Sequence, residues 1–218
     1  MSVAFFDLDR TLVDVNSGKL WIRSELKAGR LTYRDALKGV WWLFRYSIGH
    51  HDLDHAYKSA VRKLEGASED VVRQRTLDWF ARDVAHRVRP GALAALAAHR
   101  TAGDRLVVAT SSSPYAAEAA RLAFDLDECL STVFEVHAGH FTGHIKSSAY
   151  GPAKGDRLID WAQAHEVDLA QCTLYTDSVS DLTALEAVGN PVAVNPDRKL
   201  AVIARDRGWQ LVDWGESG

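Results

Sequence analysis

From Pro90 onward, short apolar runs alternate with longer helical segments, and this alternation restricts the fold more than any other feature of the chain. The runs rich in β-branched and aromatic residues predict strands at Leu106–Ala109, Thr173–Thr176, Val192–Val194 and Trp209–Val212. The segments between them predict helices at Pro90–Arg100, Pro114–Phe124, Asp156–His165, Val179–Val188 and Arg198–Arg207, with a hairpin at Thr132–His144. Strands alternating with helices predict an α/β fold with a doubly wound parallel sheet.

The beginning of the chain has a different organisation. A further strand, Ser2–Phe6, is followed by helical patterns only, which Gly29, the 48–52 turn and Gly66 divide into about four helices. We therefore predict a core domain of residues 1–15 and 89–218 and an all-helical cap domain of residues 16–88, inserted after the first strand. Such an insertion would lie over the ligand crevice at the carboxyl end of the sheet, as a lid does.

Composition excludes several classes of protein. The 218 residues carry a net charge of −3 and are 47% hydrophobic, values typical of a globular protein without the basic surface that nucleic acid requires. No apolar run approaches the roughly 18 residues of a membrane span, and Cys129 and Cys172 fit no metal-binding spacing. We expect a cytoplasmic protein with no nucleic-acid partner and no stable membrane insertion. Peripheral membrane contact and the oligomeric state stay open.

Polar residues follow several predicted strands. Asp7 and Asp9 come directly after the first strand, and residues i and i+2 lie on one side of a strand. Alone, such a pair is commonly a solvated turn. Further sets follow later strands or precede helices: Thr110, Ser111 and Ser112; Lys154; and Asp177 with Ser178 and Asp181. Because the carboxyl ends of parallel strands meet at one edge, these groups are expected to converge.

This set of residues has a consistent chemical logic. Four carboxylates in one crevice repel each other unless a hard cation is present, and oxygen ligands favour Mg²⁺. A hydroxyl, backbone N–H groups and a lysine would then neutralise a bound phosphate. Asp7 is the candidate nucleophile toward phosphorus, and Asp9 the candidate general acid and base.

The segments FFDLDRTLV, LVVATSS, Lys154 and YTDSVSD, in this order, resemble the four motifs of the haloacid dehalogenase (HAD) superfamily of phosphatases. The helical insertion resembles the C1 cap of its phosphoserine phosphatase-like subfamily. The resemblance implies that Asp7 is the nucleophile and Asp9 the acid and base, and that Mg²⁺ is held by Asp7, the Asp9 backbone carbonyl and Asp177. It also implies that Thr110, Ser111, Ser112 and Lys154 bind phosphate. Asp181, Thr11 and Ser178 would contact the metal-binding and phosphate-binding residues without touching the metal or the phosphate. Asp181 would support either the metal's waters or Lys154, and Thr11 the loop.

Three positions depart from the pattern of that subfamily. Arg10 replaces a small residue and either touches the phosphate or points outward. Asn16 stands where phosphoserine phosphatases carry an acid for the substrate amine, which argues against phosphoserine as substrate. Lys146 is an alternative to Lys154 as the motif lysine, although the helix that follows Lys154 favours the latter.

The substrate and some residue groups are left open by the sequence. A small phosphorylated metabolite is the leading substrate class, and a phospholipid head-group phosphate is the alternative. Aromatic residues of the insertion either form its own core and its seam with the main domain, or line an apolar entrance or meet a membrane surface: Trp21, Trp41, Trp42, Phe44, Tyr46, Tyr57, Trp79 and Phe80. No role is assigned to the histidines His50, His51, His55, His137, His140 and His144. A phospho-acceptor module or a non-catalytic binding protein on the same fold is the alternative of another class.

Overall fold

The structure is a computed structural model that describes residues 2–34, 37 and 53–217, with only the backbone for residues 53–57. Its main sheet has six strands, all paired in parallel, in the order β3-β2-β1-β6-β7-β8. The strands are β1 (Val3–Phe6), β2 (Arg105–Ala109), β3 (Glu128–Leu130), β6 (Thr173–Thr176), β7 (Asn190–Val194) and β8 (Gln210–Val212). The predicted fold class is confirmed.

The described α-helices are α1 (Ser17–Lys27), α2 (Leu53–Arg62), α3 (Glu69–Asp83), α4 (Pro90–Ala102), α5 (Pro114–Ala123), α6 (Pro152–Ala164), α7 (Leu182–Ala187) and α8 (Arg198–Asp206). Alternation along β1 sends side chains to both faces of the sheet. Ala4 and Phe6 join one apolar core, which includes Leu96 and Phe124, while Val3 and Phe5 join another with Leu158 and Leu174. Strand β1 is therefore buried on both faces, as expected for the centre of a parallel sheet.

A separate antiparallel hairpin consists of β4 (Val133–His137) and β5 (His140–Ser147). Its two turn residues, Ala138 and Gly139, both have positive φ angles of 48° and 77°, as a tight hairpin turn requires. The hairpin packs through Phe134 and Phe141 on a cluster that includes Val61 of α2 and Val72 of α3. The prediction of a hairpin here was right, but the second strand extends three residues beyond the predicted end at His144.

The helical insertion leaves and returns beside the loop that follows β1. Val13 pairs with Val88 in an antiparallel bridge, and the Arg89 N–H donates to the Leu12 carbonyl at 2.9 Å. Trp79 and Phe80 of α3 are buried in the core cluster of the sheet. The division into a core and a cap of residues 16–88 stays a prediction, since part of α3 packs with the core.

Three local predictions differ from the structure. The short edge strand β3 was missed, because three residues that begin with Glu128 carry little strand signal. Helix α6 begins at Pro152 rather than Asp156, since proline is favoured in the first helical turn. The helix predicted at Val179–Val188 is a 3₁₀ turn, Val179–Asp181, followed by the shorter α7. Among the described residues, no helix is both long and apolar enough to cross a membrane.

Candidate active site

Asp7 lies at the centre of the carboxyl edge of the sheet. Its N–H donates to the Tyr175 carbonyl of β6 at 2.9 Å, which extends the pairing of β1 by one residue and fixes the backbone. The Asp7 side chain is buried, although it carries a carboxylate. A buried carboxylate requires a partner to offset its loss of hydration.

Lys154 is that partner. It lies in the first turn of α6, only 3% exposed, and its Nζ donates to Asp7 Oδ1 at 2.8 Å and to Asp181 Oδ2 at 2.7 Å. Burial by itself lowers the pKa of the Lys154 ammonium, but the charges of Asp181 and Asp7 outweigh it and raise that pKa above its ordinary value. Lys154 is therefore a permanently charged link between the ends of β1 and β6. Lys146, the alternative motif lysine, is exposed on β5.

Thr176 and Asp181 complete this buried side of the site. Thr176 is the last residue of β6, fully buried, and its hydroxyl donates to Asp181 Oδ2 at 2.6 Å. Asp181 closes the 3₁₀ turn after the strand. We call the four residues Asp7, Lys154, Asp181 and Thr176 the paired side, because each charge on it has a partner. Sequence reasoning missed Thr176, although it is a polar residue that ends an apolar strand.

The pKa of Asp7 is raised from 3.8 to about 7, mainly by burial; Lys154 opposes this shift, and the charges of Asp181 and Asp9 contribute to it. Metal-free Asp7 therefore changes charge close to neutral pH. The negative charges around it outnumber the one buried ammonium of Lys154.

Asp177 lies next to the paired side but has no partner of its own. Its side chain is 7% exposed, and no group in the described part of the chain donates a hydrogen bond to its carboxylate. Burial raises its pKa well above the ordinary value, and the charges of Asp7 and Asp181 add to the shift. Its backbone is fixed, because its carbonyl accepts from the Asp197 N–H at 2.7 Å. We call Asp177 the open side, because no described group donates to its carboxylate.

Asp9 connects two other elements. Its Oδ1 accepts from the Ser17 N–H, the first residue of α1, at 2.6 Å, and its Oδ2 accepts from the Ser112 hydroxyl at 3.4 Å. Burial raises the pKa of the Asp9 carboxyl, while the hydrogen bonds from Ser17 and Ser112 oppose the shift. A carboxylate at a helix N-terminus is favourable, so the start of α1 holds this side chain.

Two of the predicted phosphate-binding residues contact these carboxylates: Ser112 donates to Asp9, and Lys154 donates to Asp7. Thr110, 1% exposed at the end of β2, accepts from the Ser112 N–H at 3.2 Å through its hydroxyl. The Ser111 carbonyl accepts from the Thr132 hydroxyl at 3.1 Å, which fixes the loop. Arg10 is exposed, and its positive φ of 61° is uncommon for a side chain of this kind. Its charge opposes the rise in the pKa values of Asp9 and Asp177, so Arg10 lies near both carboxylates.

Three residues singled out in the sequence, Asn16, Ser178 and Thr11, form no side-chain hydrogen bond with the carboxylates of the site within the described part of the chain. The Asn16 side chain caps α1 by accepting from the Lys19 N–H at 2.9 Å. The Ser178 hydroxyl contacts that of Ser180 at 2.9 Å and accepts from the Ser180 N–H. The Thr11 hydroxyl is buried without a hydrogen-bond partner, so no contact for its predicted loop-supporting role is visible.

The remaining candidates lie apart from these contacts or outside the description. His137, His140 and His144 are exposed on the hairpin. Trp21 packs edge-on against Trp79 at 5.0 Å between ring centroids. Trp41, Trp42, Phe44, Tyr46, His50, His51 and the side chains of His55 and Tyr57 lie outside the described residues. Tyr150 was missed by sequence reasoning; burial and the Asp181 charge raise its pKa, so it borders the site.

The oxygen groups fit a hard divalent cation. Within the described ranges no three His, Cys, Asp or Glu side chains form a metal cluster, whereas the predicted set needs only two carboxylates and one carbonyl. The argument for a cation comes from Asp177, a buried carboxylate without a donor beside a second carboxylate. A buried carboxylate of this kind is stabilised by a bound cation, which offsets its loss of hydration.

Comparisons of sequence place this chain among known proteins. A model of the family described as haloacid dehalogenase-like hydrolase matches residues 4–186. A relative from Streptomyces azureus, named inhibition of morphological differentiation protein, is 31% identical over 98% of this chain and 78% of its own length. A phosphoserine phosphatase of Mycobacterium tuberculosis is 30% identical over 98% and 71%, and a histidinol-phosphatase of Neisseria meningitidis is 26% identical over 98% and 99%.

Comparisons of structure agree. A Bordetella pertussis protein described as of unknown function has a TM-score of 0.87 and 28% identity, covering 98% of this chain and 99% of its own. A phospho-aspartyl intermediate analogue of phosphoserine phosphatase has a TM-score of 0.69 over 99% and 94% at 16% identity, a likeness of fold. The predicted family and the prediction of a phosphatase-type enzyme are confirmed. The chain belongs to the haloacid dehalogenase-like hydrolases.

Proposed function

We propose that this chain is a Mg²⁺-dependent phosphomonoesterase that acts through an aspartyl-phosphate on Asp7, with a small phosphorylated metabolite as substrate. The observation that carries the proposal is the contrast between Asp7, paired with Lys154 at 2.8 Å, and the unpaired buried carboxylate of Asp177. Phosphoryl transfer to a carboxylate needs a nucleophile that a cation holds in place, and a second carboxylate nearby that can bind a metal ion. Asp7 with Lys154 and Asp177 provide these two features.

Asp7, the Asp9 backbone carbonyl and Asp177 would hold the metal. When bound, Mg²⁺ supplies positive charge that offsets the repulsion between a carboxylate and a phosphate ester. Asp181 lies against Lys154 at 2.7 Å, which favours its role as a support for the lysine over a role for the metal's waters. Thr11 and Ser178 are assigned to the loops behind these ligands.

The protein groups then account for both halves of the reaction. An Asp7 oxygen attacks phosphorus while the bond from phosphorus to the ester oxygen breaks, and the leaving oxygen keeps the electron pair and takes a proton from Asp9. Asp9, now ionised, removes a proton from the water that attacks the phosphorus of the aspartyl-phosphate, which releases phosphate and restores Asp7. Lys154, Thr110, Ser111 and Ser112 bind the phosphate oxygens during both steps.

Two observations bear on the substrate. Relatives named phosphoserine phosphatase and histidinol-phosphatase support a small phosphorylated metabolite. The Asn16 side chain is engaged in capping α1, so it offers no acid to a substrate amine, and phosphoserine is not the substrate that we assign. Arg10, exposed near Asp9 and Asp177, is assigned to contact an anionic part of the substrate. Residues 16–88 are assigned to a cap over the site, and a cytoplasmic location is assigned with it.

Hydrolysis of p-nitrophenyl phosphate tests the proposal. We expect turnover with Mg²⁺, no turnover with a chelator, and a loss of about a thousandfold or more in Asp7→Asn. Asp9→Asn is expected to lose most turnover of esters with poor leaving groups. The matched control is Asp206→Asn, an exposed acid at the end of α8. Equal rates with and without Mg²⁺, or full turnover by Asp7→Asn, would contradict the proposed mechanism, and the absence of any turnover would favour a binding or phospho-acceptor protein on this fold.

A further inference from the structure

Thr176 occupies a position in the site that the proposed reaction does not use directly. It follows Tyr175 at the end of β6, its side chain is fully buried, and its hydroxyl is 2.6 Å from Asp181 Oδ2. The same hydroxyl accepts from the Ser178 N–H at 3.3 Å. Because a hydroxyl has one proton and that N–H is a donor, the threonine proton is directed to Asp181.

The contact continues toward the nucleophile. Asp181 Oδ2 accepts from both Thr176 and Lys154, at 2.6 and 2.7 Å, and the Lys154 ammonium reaches Asp7 Oδ1 at 2.8 Å. Four side chains thus form one buried chain of hydrogen bonds that joins the residue after β1, the start of α6, the end of β6 and the 3₁₀ turn, and each is at most 7% exposed. In such a setting each bond restricts the orientation of the next, because no water replaces a lost partner.

We propose that Thr176 is a positioning residue, which orients Asp181 so that Asp181 holds the Lys154 ammonium against Asp7. This inference rests on the proposed function, because it assigns Lys154 to the transferring phosphate. Thr176 itself touches neither the substrate nor the metal ligands in this role. Without its hydroxyl, Asp181 keeps Lys154 as a partner but loses the contact that fixes its own rotation, and Lys154 is less well placed when charge moves onto the phosphate oxygens.

Two variants separate the hydroxyl from the rest of the side chain. Thr176→Val keeps the shape and the strand preference, while Thr176→Ser keeps the hydroxyl and loses the methyl group. With p-nitrophenyl phosphate at saturating Mg²⁺, we expect Thr176→Val to lower kcat about tenfold with KM within about twofold of wild type. Thr176→Ser is expected to retain kcat within about threefold. The Mg²⁺ concentration for half-maximal rate is expected to be unchanged in both.

A measurement on the metal-free protein is independent of turnover. The ammonium protons of Lys154, buried and bonded twice, are expected to give a signal in ¹⁵N-edited NMR spectra that Lys154→Met removes. Thr176→Val is expected to lose or broaden this signal through faster exchange with water, and Thr176→Ser to keep it. Thermal unfolding confirms that each variant is folded.

Specific outcomes would overturn the proposal. Equal losses of kcat in Thr176→Ser and Thr176→Val would assign the effect to packing, and wild-type kcat in both would remove the role altogether. A shifted Mg²⁺ requirement in Thr176→Val, with kcat restored at high Mg²⁺, would connect Thr176 to the metal instead of Lys154. An inactive wild-type enzyme would instead refute the proposed function, with the NMR comparison still deciding whether Thr176 orders Lys154.

Discussion

The paired side and the open side of the site lie at the same sheet edge but differ in how their charges are satisfied. On the paired side, Lys154 bridges Asp7 and Asp181 at 2.8 and 2.7 Å, and Thr176 supports Asp181. On the open side, Asp177 is as buried as Asp7, yet no described group donates to it. We infer from this difference that the chain supplies one cation of its own, Lys154, and that Asp177 would bind a second cation from solution.

The largest effect is expected when the paired side loses its cation. Lys154→Met removes the cation bonded to the buried carboxylates of Asp7 and Asp181 and, among the described contacts, leaves Asp181 with the Thr176 hydroxyl alone, so the free energy of unfolding is expected to fall by about 3–5 kcal/mol. Turnover is expected to fall about a hundredfold or more, because a donor to the phosphate is lost. Urea unfolding and p-nitrophenyl phosphate hydrolysis measure the two effects.

The matched control for this variant is Lys146→Met, at the exposed lysine of β5. It is expected to match wild type in both measurements. If Lys146→Met lost activity and Lys154→Met did not, Lys146 would be the motif lysine. The contacts of Lys154 with Asp7 and Asp181 would then have no role in catalysis.

A smaller effect is expected from pH in the metal-free protein. The Asp7 pKa is about 7 in the folded protein against its ordinary 3.8. Between these values the folded protein holds a proton that the unfolded chain has released, so the contribution of Asp7 to stability falls as pH rises from about 4 to 7. Relative to Asp7→Asn, wild type is therefore expected to lose free energy of unfolding over this window, measured by urea unfolding with a chelator. A difference that grows in favour of wild type with rising pH would contradict the account.

The smallest effect is expected from loss of the hydrogen bond between Ser17 and Asp9, a residue outside both the paired side and the open side. Ser17→Pro removes the backbone N–H that donates a hydrogen bond to Asp9 Oδ1 at 2.6 Å. Ser17 is the first residue of α1, a position where proline is tolerated. Asn16, with φ −95° and ψ 107°, already has the extended backbone that precedes proline. We expect kcat/KM for phenyl phosphate, a poor leaving group, to fall about threefold to tenfold, and less for p-nitrophenyl phosphate.

Ser17→Ala keeps the N–H and is the control for the proline variant. It is expected to lose less activity than Ser17→Pro on phenyl phosphate. Equal losses on both esters in Ser17→Pro would mean that the start of α1 supports binding in general and not the proton transfer by Asp9.

The sequence predicts those parts of the site that follow strong strands. Asp7 and Asp177 each come directly after a strand that the sequence predicts, so their convergence follows from the parallel sheet. The support of Asp181 by Thr176 is a contact between the last residue of β6 and the last residue of the 3₁₀ turn that follows, which a pattern of apolar residues does not reveal. The Asn16 side chain is a similar case, because its use as a helix cap depends on where α1 begins. Strand β3 was missed because pairing with β2, and not local preference, stabilises it.

The central claim is that the open side binds a divalent cation through Asp177. Thermal unfolding of wild type and Asp177→Asn during Mg²⁺ titration tests it, since an ion that binds only the folded state stabilises that state. We expect the Tm of wild type to rise with Mg²⁺ and that of Asp177→Asn to stay constant, with metal-free Asp177→Asn at least as stable as metal-free wild type. An equal rise of Tm in both proteins would contradict the account, because Asp177 would then have no part in binding the ion.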